Sequence, residues 1–419
     1  MSRNQIYIAA FIFILVLMIA VVGFATYLNK KTSPQNSNST KNIGASYSSP
    51  TLNSSANTFG KIIQNIDKEK QEEQKAIEEA TAPFKAKLNQ IYSEPVVFMK
   101  NINDTTNPEN IIFTEALTGN VFTLLFSGET LKIKRILSTT APGIKESLSA
   151  DGGKIVIRRY ADENGVINSV IGSTTLTNQK KSLTSRYLPN KIESISVSRD
   201  GQKLFFIIPE ESGAVGYLSD VNSTTTTPIW SSYIKGWHTK WIDNENILLN
   251  EKPTAKFGSS AFIINTKTGD ENIFLSQKPG LSIKMASTTT ALFSISNNNS
   301  IKLFYINNGV QTKTPLSTFA EKCAILNTEA YCFVPKSIPS GEYPDDWYMG
   351  NSSFSDELWK LDLNSMKTTL VLSPETEYNE ILDVDDIFTT PDKRFLIFRN
   401  KKDQTLWSIQ IKDYEKTNK

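Results

Sequence analysis

Ser198-Arg199-Asp200-Gly201-Gln202-Lys203-Leu204-Phe205-Phe206 decides how this chain is read. A polar turn centred on Asp-Gly opens directly into an apolar run. Asp-Gly between two such runs is a strong signal for a tight connection between antiparallel strands. The arrangement also stands at Ser149-Ala150-Asp151-Gly152-Gly153-Lys154-Ile155-Val156-Ile157. Weaker copies turn near Asn107-Pro108, Asp243-Asn244, Thr288-Thr289, Asn327-Thr328 and Pro391-Asp392. The turns recur about every 40–50 residues, with one longer gap before the last, which is the period of a propeller-type array.

Each unit reads as four strands. In the second unit these are residues 147–149, 154–160, 166–172 and a short strand near 181–184, with Glu163-Asn164-Gly165 joining the middle pair. Third strands share a look, as in Asn120-Val121-Phe122-Thr123-Leu124 and Leu358-Trp359-Lys360-Leu361-Asp362. Seven units follow, spanning residues 95–138, 146–185, 192–232, 233–276, 280–318, 319–373 and 381–411. The expected fold is therefore all-β, a β-propeller of seven blades with four strands each. Six or eight blades are the neighbouring counts, and a pair of β-sandwiches is the competing fold, which the even spacing argues against. A ring needs closure, because an open blade exposes strand edges. The last unit shows three strands, so the strand at 96–100 is a candidate to complete it instead of opening the first.

Residues 6–28 carry no charge, and about 20 apolar residues suffice to span a bilayer. Residues 1–31 are expected to form a transmembrane anchor; a cleaved signal peptide is the rival reading, on the small residues of Gly23-Phe24-Ala25. Residues 32–59, rich in Ser, Asn and Thr, read as a disordered linker. Residues 60–94 read as a charged spacer helix and connector. The helix, over 61–81, is either a solvated spacer or a self-associating coiled coil. The propeller is expected over 95–411 and a tail over 412–419. Charge is nearly balanced at +2, which gives no footprint for nucleic acid.

The chain has two cysteines, Cys323 and Cys332. A two-residue turn centred on Asn327-Thr328 places them opposite each other in a non-hydrogen-bonded pair, where Cα atoms approach to roughly 4.5 Å. That suits a disulfide, and disulfides persist outside the cytoplasm. Two buried thiols on neighbouring strands are the other reading. Charges flanking the span slightly favour a cytoplasmic C-terminal side, but large domains translocate regardless. The cysteine pair points to a C-terminal domain outside the cytoplasm.

The S-x-D-G-x-x-I/L-x-F turn resembles that of WD40-like and TolB-type propellers. A further likeness runs through Thr139-Thr140-Ala141-Pro142-Gly143-Ile144, Glu321-Lys322-Cys323, Tyr331-Cys332-Phe333-Val334-Pro335 and Tyr343-Pro344-Asp345-Asp346-Trp347-Tyr348. There the chain is similar to uncharacterised, N-terminally anchored propeller proteins of uncultivated bacteria. That resemblance implies a surface or periplasm-like location and carries over no activity and no functional residues.

The longest insertion, residues 336–356, places Tyr343, Trp347 and Tyr348 beside Asp345 and Asp346. Aromatics beside acids on a loop are a candidate binding surface for a protein or glycan partner; alternatively they cap the blade. Asp383, Asp385 and Asp386 form an acidic cluster that reads as a cation site or as a solvated strand end. His238, the only histidine, lacks a nucleophile elbow to serve. No P-loop or metalloprotease motif appears, and no cofactor or metal is expected. The expected function is a membrane-anchored, non-catalytic binding scaffold. The alternatives are a carboxylate-dependent glycan enzyme with an axial site, or a subunit of a cell-surface or secretion apparatus.

Overall fold

The computed structural model describes residues 81–83, 87–101, 111–127, 130–138, 143–162, 165–173 and 185–412. The expected anchor, linker and charged helix up to residue 80, and the tail after residue 412, lie outside the described residues. So do the turn at Asn107-Pro108, most of Thr139 to Ile144, Glu163-Asn164 and the strand near 181–184. No helix among the described residues is long and apolar enough to cross a membrane.

Seven antiparallel sheets follow one another around an axis, one for each turn signal. Their innermost strands are Val96–Asn101, Ile144–Ala150, Ser194–Val197, Trp237–Trp241, Ser282–Met285, Cys323–Leu326 and Val384–Thr389. We number the blades 1 to 7 in that order. The chain is a seven-bladed β-propeller. Second strands are buried through their centres, and Ile111–Glu115 along its whole length, being covered by a neighbouring sheet on each face. This is why Leu204-Phe205-Phe206-Ile207 is an unbroken apolar run, with all four side chains buried.

The core lies between blades. Phe205, Ile207 and Trp230 of blade 3 pack against Trp237, Trp241, Ile247 and Leu249 of blade 4. Trp230 and Trp237 meet edge to face, with ring centroids 5.1 Å apart, a favoured aromatic geometry.

The turns that announced the blades also tie them together. In blade 3 the Ser198 hydroxyl donates to Asp200 Oδ1, which also accepts the Gln202 amide, and Ser198 Oγ accepts the Lys203 amide. Gly201 has φ +74, and a Cβ there would stand 2.6 Å from the Asp151 backbone nitrogen. That close approach lets the Asp151 amide donate to the Gly201 carbonyl at 2.9 Å, joining the blade 2 and blade 3 turns. The Asp200 amide donates to Asn244 Oδ1 of blade 4 at 2.9 Å, extending the chain of turns. Thr390-Pro391-Asp392-Lys393-Arg394-Phe395 repeats the chemistry in blade 7. Thr390 takes the place of serine and donates to Asp392, while Lys393 takes the left-handed position with φ 59.

Closure differs from the expectation in one respect. Val96–Asn101 opens blade 1, and the fourth strand of blade 7 is Leu88–Tyr92, paired with Leu406–Gln410. The ring therefore begins upstream of residue 95. Leu88, Ile91 and Tyr92 are buried there, which the charged composition of the preceding stretch concealed. Thr81, expected to end the spacer helix, instead begins a short strand, Thr81–Pro83, on the outer edge of blade 1.

Cys323 and Cys332 are paired residues on neighbouring strands, in the expected register, and are joined by a disulfide.

A candidate axial binding site

The innermost strands decide what faces the axis. Along Trp237–Trp241 the pattern alternates: Trp237, Thr239 and Trp241 are buried between blades, while His238 and Lys240 are turned to the open axis. In blade 7 the alternation breaks at a bulge between Asp385 and Ile387, where Asp386 adopts φ 47. The bulge turns two successive carboxylates toward the axis, which a regular strand cannot do.

Two cavities result. One, of about 560 Å³, is lined by blades 4 to 7 and includes His238, Lys252, Lys284, Glu321, Tyr348 and Arg399. The other, of about 970 Å³, opens on the side of the Asp-Gly turns and is lined by Arg199, Asn327 and Thr389 among others. Thr239, Lys240, Lys284 and Asp386 line both, so the cavities meet at a waist on the axis.

The first cavity concentrates charge. Lys240, Lys252, Lys284 and Arg399 face Glu321, Asp385 and Asp386, four cations against three carboxylates. Arg399 is spoken for: its Nε and Nη2 grip both oxygens of Asp385 at 2.8 and 2.9 Å, and its Nη1 donates to the Val96 carbonyl of blade 1. Glu321 accepts the Tyr348 hydroxyl, and burial raises its carboxyl above the ordinary range, with Asp385 adding to the effect. Lys284 donates to the Ile387 carbonyl at 2.8 Å. Burial, with Lys240 beside it, pulls its ammonium down to about 8. His238 is pulled down by burial and by Lys252. These groups touch solvent through the cavity yet have protein on most sides, which is why burial dominates.

The insertion is built differently from the expected binding loop. Tyr343 and Trp347 are 0% and 1% exposed. Trp347 stacks on Phe319 at 4.8 Å, and Tyr343 packs against Phe354 at 5.7 Å, so neither ring has a face open to a ligand. Asp345 accepts the Thr254 hydroxyl and the Ala255 amide, pinning the insertion to a loop of blade 4. Asp346 accepts the Glu342 amide and the Asn351 side chain, bracing its own turn. Only Tyr348 of the five reaches the axial cavity, through its bond to Glu321. The acidic cluster also divides. Asp383 is buried against Lys322 and Trp347, Asp385 is paired with Arg399, and Asp386 alone lies open on the waist. Among the described residues no three His, Cys, Asp or Glu side chains are grouped as a metal ion requires.

Lys240, Lys284, Glu321 and Arg399 were not singled out from sequence. The alternation of Trp237-His238-Thr239-Lys240-Trp241 was a usable signal for an axis-facing pair. The bulge that exposes Asp386 left none.

No family model matches the chain, and no curated protein matches it. Solved structures do. An oligogalacturonate lyase from Vibrio parahaemolyticus superposes with a TM-score of 0.51 at 9% identity, covering 79% of this chain and 93% of its own. An oligogalacturonate lyase in complex with manganese gives 0.50 at 9% identity, covering 80% and 93%. The C-terminal WD40 domain of Sif2 gives 0.47 at 12% identity, covering 78% and 98%. At these identities the likeness is one of fold. The likeness to anchored propellers of uncultivated bacteria has no counterpart among these matches.

Proposed function

We propose that this chain is a binding propeller held outside the cytoplasm by its N-terminal anchor, and that its axial cavity takes the acidic group of a glycan or peptide segment. One observation carries the ligand chemistry. Lys240, Lys252 and Lys284 come from two adjacent blades and line one cavity, while Arg399 already neutralises Asp385. A cavity walled by low-dielectric protein focuses the field of such lysines on an entering anion. The disulfide and the charge-free stretch over 6–28 support the location.

Titration calorimetry of the full chain in detergent, against acidic and neutral oligosaccharides and acidic peptides, tests the ligand. Saturable binding of acidic members that falls at least tenfold in Lys284→Met is expected. Equal binding of neutral ligands, or none by any acidic one, would discard the reading. The location is tested by labelling unreduced, denatured protein for free thiols, where none is expected to react.

A second reading is favoured by Glu321. A carboxyl raised by burial beside the Arg399-paired Asp385 is placed to act as a general acid on a glycan. This rests on the site and not on the likeness to lyases. Turnover of an acidic oligosaccharide that Glu321→Gln abolishes would favour it over simple binding.

A further inference from the structure

We propose that Lys322 and Asp356 condense into an isopeptide bond inside blade 6, with Asp383 carrying the proton. This modification site is separate from the axial cavity and does not depend on the reading of it. The three side chains are 0%, 0% and 1% exposed. Lys322 Nζ lies 2.7 Å from Asp356 Oδ2 and 2.7 Å from Asp383 Oδ1. The amine also sits over the rings of Trp347 and Phe354, at 5.0 and 4.7 Å from their centroids. An amine and two carboxyls are thus pressed together in a pocket walled by aromatic rings and closed to water.

The two aspartates are not equivalent. Asp383 has both oxygens filled: Trp347 Nε1 donates to each, at 3.0 and 3.1 Å, and the Phe354 amide donates to Oδ2 at 3.2 Å. Asp356 has one oxygen occupied, by Lys322 and by the Val384 amide at 2.8 Å. Its other oxygen, Oδ1, is buried with no hydrogen-bond partner among the described residues. A bare buried oxygen is costly on a carboxylate and tolerable on a neutral acid. Burial accordingly pushes Asp356 up to about 6.

These roles give a balanced step. The ammonium passes a proton to Asp356 Oδ2, leaving a neutral amine beside a carboxylic acid. The Nζ lone pair attacks Asp356 Cγ, the C–N bond forms and Oδ1 takes up the charge. Asp383 accepts a proton from Nζ and returns it to Oδ2, where the Val384 amide also donates. Oδ2 leaves as water when its C–O bond breaks and the carbonyl re-forms at Oδ1. Nothing is oxidised or reduced, and no co-reactant is needed. Condensation removes two of three formal charges from the pocket, while the dry surroundings keep water from reversing it. The bond ties the start of the first strand of blade 6 to the start of its third, closing residues 323–355 into a covalent loop.

Peptide mapping of the full chain decides the matter. After reduction and trypsin digestion, residues 314–336 and 337–360 are expected as one branched species, lighter than their sum by one water, with no cleavage after Lys322. Separate peptides cut after Lys322 would overturn the proposal. So would a dehydrated 337–360 peptide with Lys322 free, which marks a cyclised aspartate. Lys322→Arg and Asp383→Asn are each expected to return separate peptides. A crosslink persisting in folded Asp383→Asn would remove Asp383 from the reaction. Should either variant fail to fold, the map of the unaltered chain still decides.

Discussion

Gly201 shows how much one residue of the repeat controls. Its left-handed φ forms the turn, and its missing side chain admits the neighbouring blade. Gly201→Ala meets both penalties, and a loss of about 1–3 kcal/mol is expected from backbone strain of this kind. Chemical denaturation measures it; an unchanged midpoint would mean that the two turns part without cost. Trp347 makes the opposite point. Its sequence surroundings, acids and aromatics on a long insertion, are those of an exposed binding loop. Its buried ring and its bonds to Asp383 make it core. Trp347→Ala is therefore expected to destabilise the protein by about 3–5 kcal/mol, as large aromatic truncations do. A loss of ligand affinity with stability intact would contradict this.

At the scale of strands and blades, the apolar runs and their turns made the ring legible, because turn chemistry and period-two burial are local properties. The closing strand was not, because Leu88-Asn89-Gln90-Ile91-Tyr92 is short and follows a charged stretch, and its partner lies at the other end of the chain. Its role follows from pairing, which sequence order hides. A chain starting at Pro95 leaves the Leu406–Gln410 strand without its outer neighbour and uncovers Trp407 and Ile409. It is expected to aggregate or melt earlier than one starting at Thr81, as gel filtration and thermal melts followed by circular dichroism would show. Equal behaviour of the two would mean that the fourth strand of blade 7 is dispensable. The cysteine register was legible for the converse reason: one tight turn fixes it, with no distant partner involved.

Across the whole molecule, the site is a property of the ring and not of any one segment. His238, Lys284, Glu321 and Asp386 come from four blades and meet only because the sheets converge. Alternation can say that a side chain faces the axis, but not what faces it from the other blades. Their convergence gives a pH signature. Lys284, held down to about 8, is charged below that value and neutral above it. Affinity for an acidic ligand is thus expected to be steady up to about pH 7 and to fall as pH rises through about 8. Lys284→Arg should hold the plateau to higher pH. An affinity flat from pH 6 to 9.5 in the unaltered protein would remove Lys284 from the site.

The pairing of Leu88–Tyr92 with Leu406–Gln410 also sets a clock. The latch needs both ends of the ring, and its two strands lie about 310 residues apart in the chain. At 5–20 residues per second, roughly 15–60 s of synthesis separate the first half of the latch from the second. Over that interval the blades emerge one by one into an arc that cannot yet close. A helper protein that shields its open edges would have a defined moment of release, when Leu406–Gln410 emerges.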